Sequence, residues 1–141
     1  RHKKDIVSGL YFQRNQPFYP HIYKLSDAPG RYDSKTYYEK NKLIEVDSAG
    51  LGCCLIRSEV FDKIGTQEKG KEIPWFYFTG GYGIELRESE DHYFFRIARE
   101  AGYKIYCDTS VTCGHIGKDI VTEQHWEAMR GDMYETNKPR L

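Results

Sequence analysis

Ser89-Glu90-Asp91 opens an amphipathic run that closes on Ala101-Gly102-Tyr103, and Ile105-Tyr106-Cys107-Asp108 follows at once, with His115 a few residues on. A serine ahead of two acids can accept backbone N–H bonds and start a helix. Glu90 and Asp91 then occupy the first turn, where the helix dipole favours negative charge. Tyr93, Phe94, Ile97 and Ala101 recur on one face at helical spacing, while Arg96, Arg99 and Glu100 fall largely elsewhere. Gly102 supplies the left-handed residue that ends a helix. The pattern predicts a helix over 90–101, a tight turn, a strand over 105–108 and a loop bearing one imidazole. It holds a carboxylate pair on a rigid helix mouth, with a histidine returning some two dozen residues later.

Elsewhere the signals are shorter. Residues 5–12 alternate as a strand, with Gly9 permitting close backbone approach. Residues 16–20 form a proline-bounded turn and 21–25 a second short strand. The polar stretch 26–42 is expected to be an exposed excursion with an extended piece at 36–39. Leu43–Val46 and residues 53–57 read as strands flanking Ser48-Ala49-Gly50, after which Ser58 caps a helix over 59–64 that Gly65 ends. Residues 66–71 read as a charged loop, 74–78 as an aromatic strand or bend, and 79–83 as a mobile glycine-rich loop, with closure over an acceptor as one use for it. A terminal helix is expected over 122–130 and a loose tail from 132.

At 141 residues the chain is one domain or part of one, and its 21 basic and 21 acidic residues cancel. No basic patch argues for nucleic acid, and Arg1-His2-Lys3-Lys4 reads as a frayed terminus. No apolar run approaches the roughly 20 residues of a membrane span, and no leader opens the sequence. The four cysteines lack metal-site spacing. Cys53 and Cys54, adjacent on one expected strand, should face opposite ways. Cys107 and Cys113 have the spacing to face each other, but reduced thiols and a cytoplasmic setting are the better reading. The aromatic fraction is high at 15%, led by 12 tyrosines. That suits sugar rings, which offer apolar faces and hydroxyls together, but equally a tyrosine-rich core.

Five segments in order resemble the C-terminal half of family 2 glycosyltransferases, enzymes of the GT-A fold: 5–11, 50–61, Glu90-Asp91, the run from Arg96 through Gly102-Tyr103-Lys104 to Asp108, and His115-Ile116-Gly117. The resemblance implies an α/β fold, a mixed sheet with flanking helices, forming the acceptor-side part of a nucleotide-diphospho-sugar transferase. It implies that Asp91 is the general base which takes the acceptor hydroxyl's proton, with Glu90 orienting it or binding acceptor. It makes His115 a ligand of a divalent cation, Mn2+ or Mg2+, that offsets charge on the leaving diphosphate. Gly50 and Gly52 sit where such enzymes bring backbone close to acceptor or sugar, or else form a turn. Asp47 reads either as a partner of a sugar hydroxyl or as a turn cap, and Trp75 and Phe76 either as a stacking platform or as core. His2, His21, His92 and His125 have no comparable context and are expected at the surface.

The Asp-x-Asp motif and the nucleotide-binding half that should precede residue 5 are absent from the sequence, as is the Gln-x-x-Arg-Trp motif of processive enzymes. The expectation is the C-terminal portion of a longer enzyme, inactive alone, whose parent makes single, inverting additions from a nucleotide-diphosphate sugar to a hydroxyl acceptor. The alternatives are a non-catalytic carbohydrate-binding module and a virion or surface structural module keeping part of the fold.

Overall fold

The structure is a computed structural model that describes residues 2–28, 30–65, 74–79 and 88–136, with only the backbone of 132–136. It is a mixed α/β arrangement. At its centre β1 (Ile6–Leu10) runs parallel to β7 (Ile105–Thr112). The short strand β6 (Cys54–Ile56) pairs antiparallel on the free side of β1, and β4 (Leu43–Val46) antiparallel on the far side of β7. The order is therefore β4-β7-β1-β6. The β1–β7 register is even from Ile6↔Ile105 to Gly9↔Asp108 and then shifts, so that Leu10 meets Thr112.

A smaller sheet has β2 (Ile22–Leu25) between β3 (Tyr32–Ser34) and β5 (Ser48–Ala49). Beyond β7 the chain makes a two-stranded ribbon, β8 (His115–Ile116) with β9 (Ile120–Val121). Three helices are described: α1 (Ser58–Gly65), α2 (Glu90–Glu100) and α3 (Glu123–Thr136). Ile6, Leu10, Ile22, Phe94, Ile105 and Trp126, all essentially inaccessible, belong to one core shared by both sheets and all three helices.

The α2 unit forms for the reasons legible in its sequence. Ser89 Oγ accepts the His92 N–H at 3.4 Å. At the other end the Gly102 and Tyr103 N–H groups bond Arg99 O and Ala98 O, with Gly102 at φ +90°. The helix buries more than one stripe, however. Phe95 and Ala98 join Tyr93, Phe94 and Ile97 in the core, and Ala101 is the half-buried cap. The helix runs between layers: His92 meets Ser48 and Tyr32 of the small sheet, whereas Phe94 packs on Phe61 of α1. A single amphipathic face would not serve both.

Several expectations need correction. In the 26–42 excursion the strand is β3 at 32–34, not 36–39, because Tyr32 is drawn in by His92 and by Arg99, whose Nη2 donates to the Tyr32 hydroxyl at 2.9 Å. The strand after α2 passes Asp108 and continues to Thr112. Residues 74–78, expected as an aromatic strand or a bend, form a bend. The last helix runs to Thr136, so the tail is not loose from 132; Trp126, 1% exposed, anchors it. Cys107 does not meet Cys113, since it lies in the core, and Cys53 belongs to a single 3-10 turn over Leu51–Cys53 rather than to a strand. The basic N-terminal run is not frayed at His2, which bonds the Asp108 carboxylate at 2.6 Å, nor at Lys4, stacked over Tyr106. The expected loop 66–71 and most of 79–83 lie outside the described residues.

Candidate active site

Where β1 leaves the sheet, Tyr11 becomes the centre of a cluster drawn from five segments. Its ring is 7% exposed, tilted over His21 at 4.6 Å and edge-on to His115 at 5.2 Å between centroids. Its hydroxyl accepts the Gly52 N–H at 3.0 Å. Gly50 closes the other side, and a Cβ there would stand 1.9 Å from the Tyr11 oxygen. The backbone of His21 fastens both, its N–H donating to Tyr11 O and its carbonyl accepting the Gly50 N–H. The two glycines are thus needed for close approach, since Gly50 has an ordinary extended backbone at φ −87° and ψ 149°. Burial, with Asp91 adding to it against the Gly52 N–H, pushes the Tyr11 phenol up to about 12, so it stays neutral.

Asp91, in the first turn of α2, is half-buried beside this glycine turn. Burial and then the neighbouring Glu90 raise its carboxyl above the usual range, while the Leu51 backbone N–H pulls it back. The charge of Asp91 is felt by Tyr11, Tyr23 and Cys54, which marks it as facing the cluster. Glu90 is exposed. A carboxyl made more basic than usual is suited to taking a proton from a hydroxyl.

His115 enters from β8. Its Nδ1 lies 2.7 Å from the Phe12 carbonyl. A carbonyl only accepts, so Nδ1 carries the proton and Nε2 keeps its lone pair in the neutral ring, the tautomer suited to ligation. Among the described residues no group of three or more His, Cys, Asp or Glu could hold a metal. His115 is therefore a fitting single ligand, not a complete site.

The structure thus gathers Asp91, Gly50, Gly52 and His115 around Tyr11. It places the other expected site residues differently. The Asp47 carboxylate accepts the Leu25 N–H at 2.9 Å and faces Lys24 at 3.6 Å, serving the edge of β2. Trp75 and Phe76, each nearly half exposed, pack on Phe61 and Phe94, with the Trp75 indole N–H on the Phe61 carbonyl.

Sequence reasoning missed Tyr11 and the buried role of two histidines. His21 and His92 are not surface residues: burial is the main cause that pushes each imidazole down to about 4. His21 bonds the Tyr23 hydroxyl at 2.8 Å, and His92 bonds Ser48 Oγ at 2.7 Å while stacking flat on Tyr32. The available signals were Tyr11 and His21 standing at the ends of two strands that a short turn brings back together, and His92 one residue after the acidic pair. Comparison of the chain with protein-family models, with curated proteins and with solved structures gives no match.

Proposed function

We propose that this chain is the acceptor-side part of a GT-A glycosyltransferase of the family 2 type, acting by inversion within a longer protein. The observation that carries the reading is Asp91, half-buried at the mouth of α2 beside the Gly50–Gly52 turn, with Tyr11 linking that turn to His115. In this reading the acceptor hydroxyl hydrogen-bonds Asp91. As its oxygen attacks the anomeric carbon, the proton passes to the carboxylate and the sugar–phosphate bond breaks, releasing a nucleoside diphosphate. Asp91's raised basicity favours that transfer. Neutral Tyr11 and the glycine turn hold the carboxylate's surroundings rigid.

When bound, a divalent cation would offset charge on the departing diphosphate. His115 is the residue of this chain that would hold it through Nε2, and its remaining ligands would come from outside the described residues. Donor recognition likewise belongs to a nucleotide-binding half outside this sequence. The β6 edge, where Leu55 is 80% exposed, leaves a strand edge free among the described residues for further sheet.

The test is nucleoside diphosphate release by the full-length protein, given Mn2+, a panel of nucleotide sugars and hydroxyl acceptors. One donor should be consumed, and Asp91→Asn should lower kcat by about 10²–10⁴-fold with little change in donor KM. Near-normal turnover in that variant would remove Asp91 from the chemistry. Sugar binding without any release would leave a carbohydrate-binding module instead.

A further inference from the structure

The four cysteines fall into two environments. Cys107 is buried in β7, and Cys54 is half-buried at the start of β6. Burial pushes their thiols up to about 11 and about 12, which keeps them protonated and poor nucleophiles at neutral pH. Cys53 and Cys113 differ. Their sulfurs, 60 residues apart in the chain, lie 3.3 Å from each other, and both residues are only partly covered. Cys53 ends the 3-10 turn and lines a groove of about 650 Å³ with Gly9, Leu51 and Val111. Cys113 follows β7, its N–H fixed on the Leu10 carbonyl. Gly9 makes the meeting possible, because a Cβ there would stand 2.7 Å from the Cys53 sulfur.

We propose that Cys53 and Cys113 are a dithiol that closes to a reversible disulfide on meeting a small disulfide oxidant, fastening the 51–53 turn to the strand that leads into His115. The groove-facing Cys53 thiolate attacks oxidised glutathione, whose S–S bond breaks. One glutathione leaves as thiolate and is protonated, and Cys53 carries the other as a mixed disulfide. The Cys113 thiolate then attacks the Cys53 sulfur, the protein S–S bond forms and the second glutathione leaves. Two protein thiols lose two electrons and two protons, and the oxidant becomes two thiols. The sulfurs need only close from 3.3 Å to a bond length of about 2 Å.

The bond would join two sides of one cluster. The 51–53 turn sends its Leu51 N–H toward Asp91 and its Gly52 N–H to Tyr11, while Cys113 stands two residues before His115. The inference does not rest on the transferase reading, and its test does not use turnover. The chain is incubated with oxidised glutathione at pH 8, quenched in acid, alkylated under denaturing conditions and mapped by mass spectrometry. Two of the four thiols should disappear, the mass should fall by two hydrogens, and one linked peptide pair should join Cys53 to Cys113, reversed by dithiothreitol. The Tm should rise by roughly 5–10 °C. Because Cys53 and Cys54 share a peptide, Cys54→Ser should keep the link, and Cys53→Ser should abolish it. Four free thiols, a lasting glutathione adduct without the link, or a bond to Cys54 or Cys107 would each overturn the proposal.

Discussion

Replacing Gly50 by alanine tests the cluster around Tyr11 most directly. The new Cβ would stand 1.9 Å from the Tyr11 oxygen and 2.5 Å from Cζ, about 1.5 Å short of the 3.4 Å at which ordinary contact begins. The ring has little room to retreat, with His21 on one face and His115 at its edge. The backbone of Gly50 suits alanine, so lost chain entropy in the unfolded state favours the variant by about 0.4–1 kcal/mol. Against this, overpacking costs about 1–3 kcal/mol, and displacing the phenol from the Gly52 N–H costs about 1 kcal/mol more. The clash wins, by about 1–3 kcal/mol, which should lower the Tm by roughly 4–10 °C. Thermal and urea unfolding of Gly50→Ala, Tyr11→Phe and the double variant would measure it. Removing the phenol oxygen deletes the nearest clashing atom, so the alanine should cost less in the phenylalanine background, with a coupling of about 1 kcal/mol. Wild-type stability for Gly50→Ala, or the same cost in both backgrounds, would refute the packing of this turn on Tyr11.

Other outcomes follow from the same residues. Asp91's folded pKa is raised, so the fold gains stability from it as it protonates and loses that stability as pH rises through the raised value. Asp91→Asn should therefore raise the Tm at neutral pH, a gain that shrinks as pH falls and the native carboxyl protonates. His21 and His92 have the opposite sign: with folded values lowered to about 4, their contribution is full above the unfolded value of about 6.5 and is lost as pH falls toward 4. Urea titrations should show about 1–2 kcal/mol lost between about pH 6.5 and 4.5, after allowance for solvent screening, and a flatter slope in His92→Gln. Gly102→Ala meets no atom within 4 Å but must hold φ at +90°, so it should cost about 1 kcal/mol through backbone strain alone in the same unfolding assay.

Local chemistry made some of this legible and non-local packing hid the rest. The α2 unit could be read because its cap, dipole-compatible acids and terminal glycine all act within a few residues of one another. The expected strand Leu43–Val46 was found at the bounds that its composition suggested. Asp91 and His115 could be named, but nothing in their spacing pointed to Tyr11, which joins them only once β1, the 50–52 turn and β8 are assembled. The surface reading of His92 failed because a two-layer environment around α2 is invisible to a one-face helical pattern. Cys113 found Cys53 rather than Cys107 because burial in β7 and the space above Gly9 decided the pairing, and neither is a sequence-local property.

The register shift in β7 has a consequence for which lengths this chain tolerates. Residues 109–111 are extra relative to β1, since Gly9 faces Asp108 and Leu10 faces Thr112. They are tied in place: the Thr109 hydroxyl donates toward the carbonyls of Glu39 and Lys42, and Ser110 donates to Asp108, whose carboxyl that bond, helped by His2, holds down at about 2. Side chains alternate along an extended strand, so this insert sets the phase in which Cys113 and His115 emerge. Deleting one residue there would reverse that phase and turn His115 away from the Phe12 carbonyl. Across 109–111 the spacer works as a fixed odd-numbered gauge, and the position of the imidazole depends on its parity.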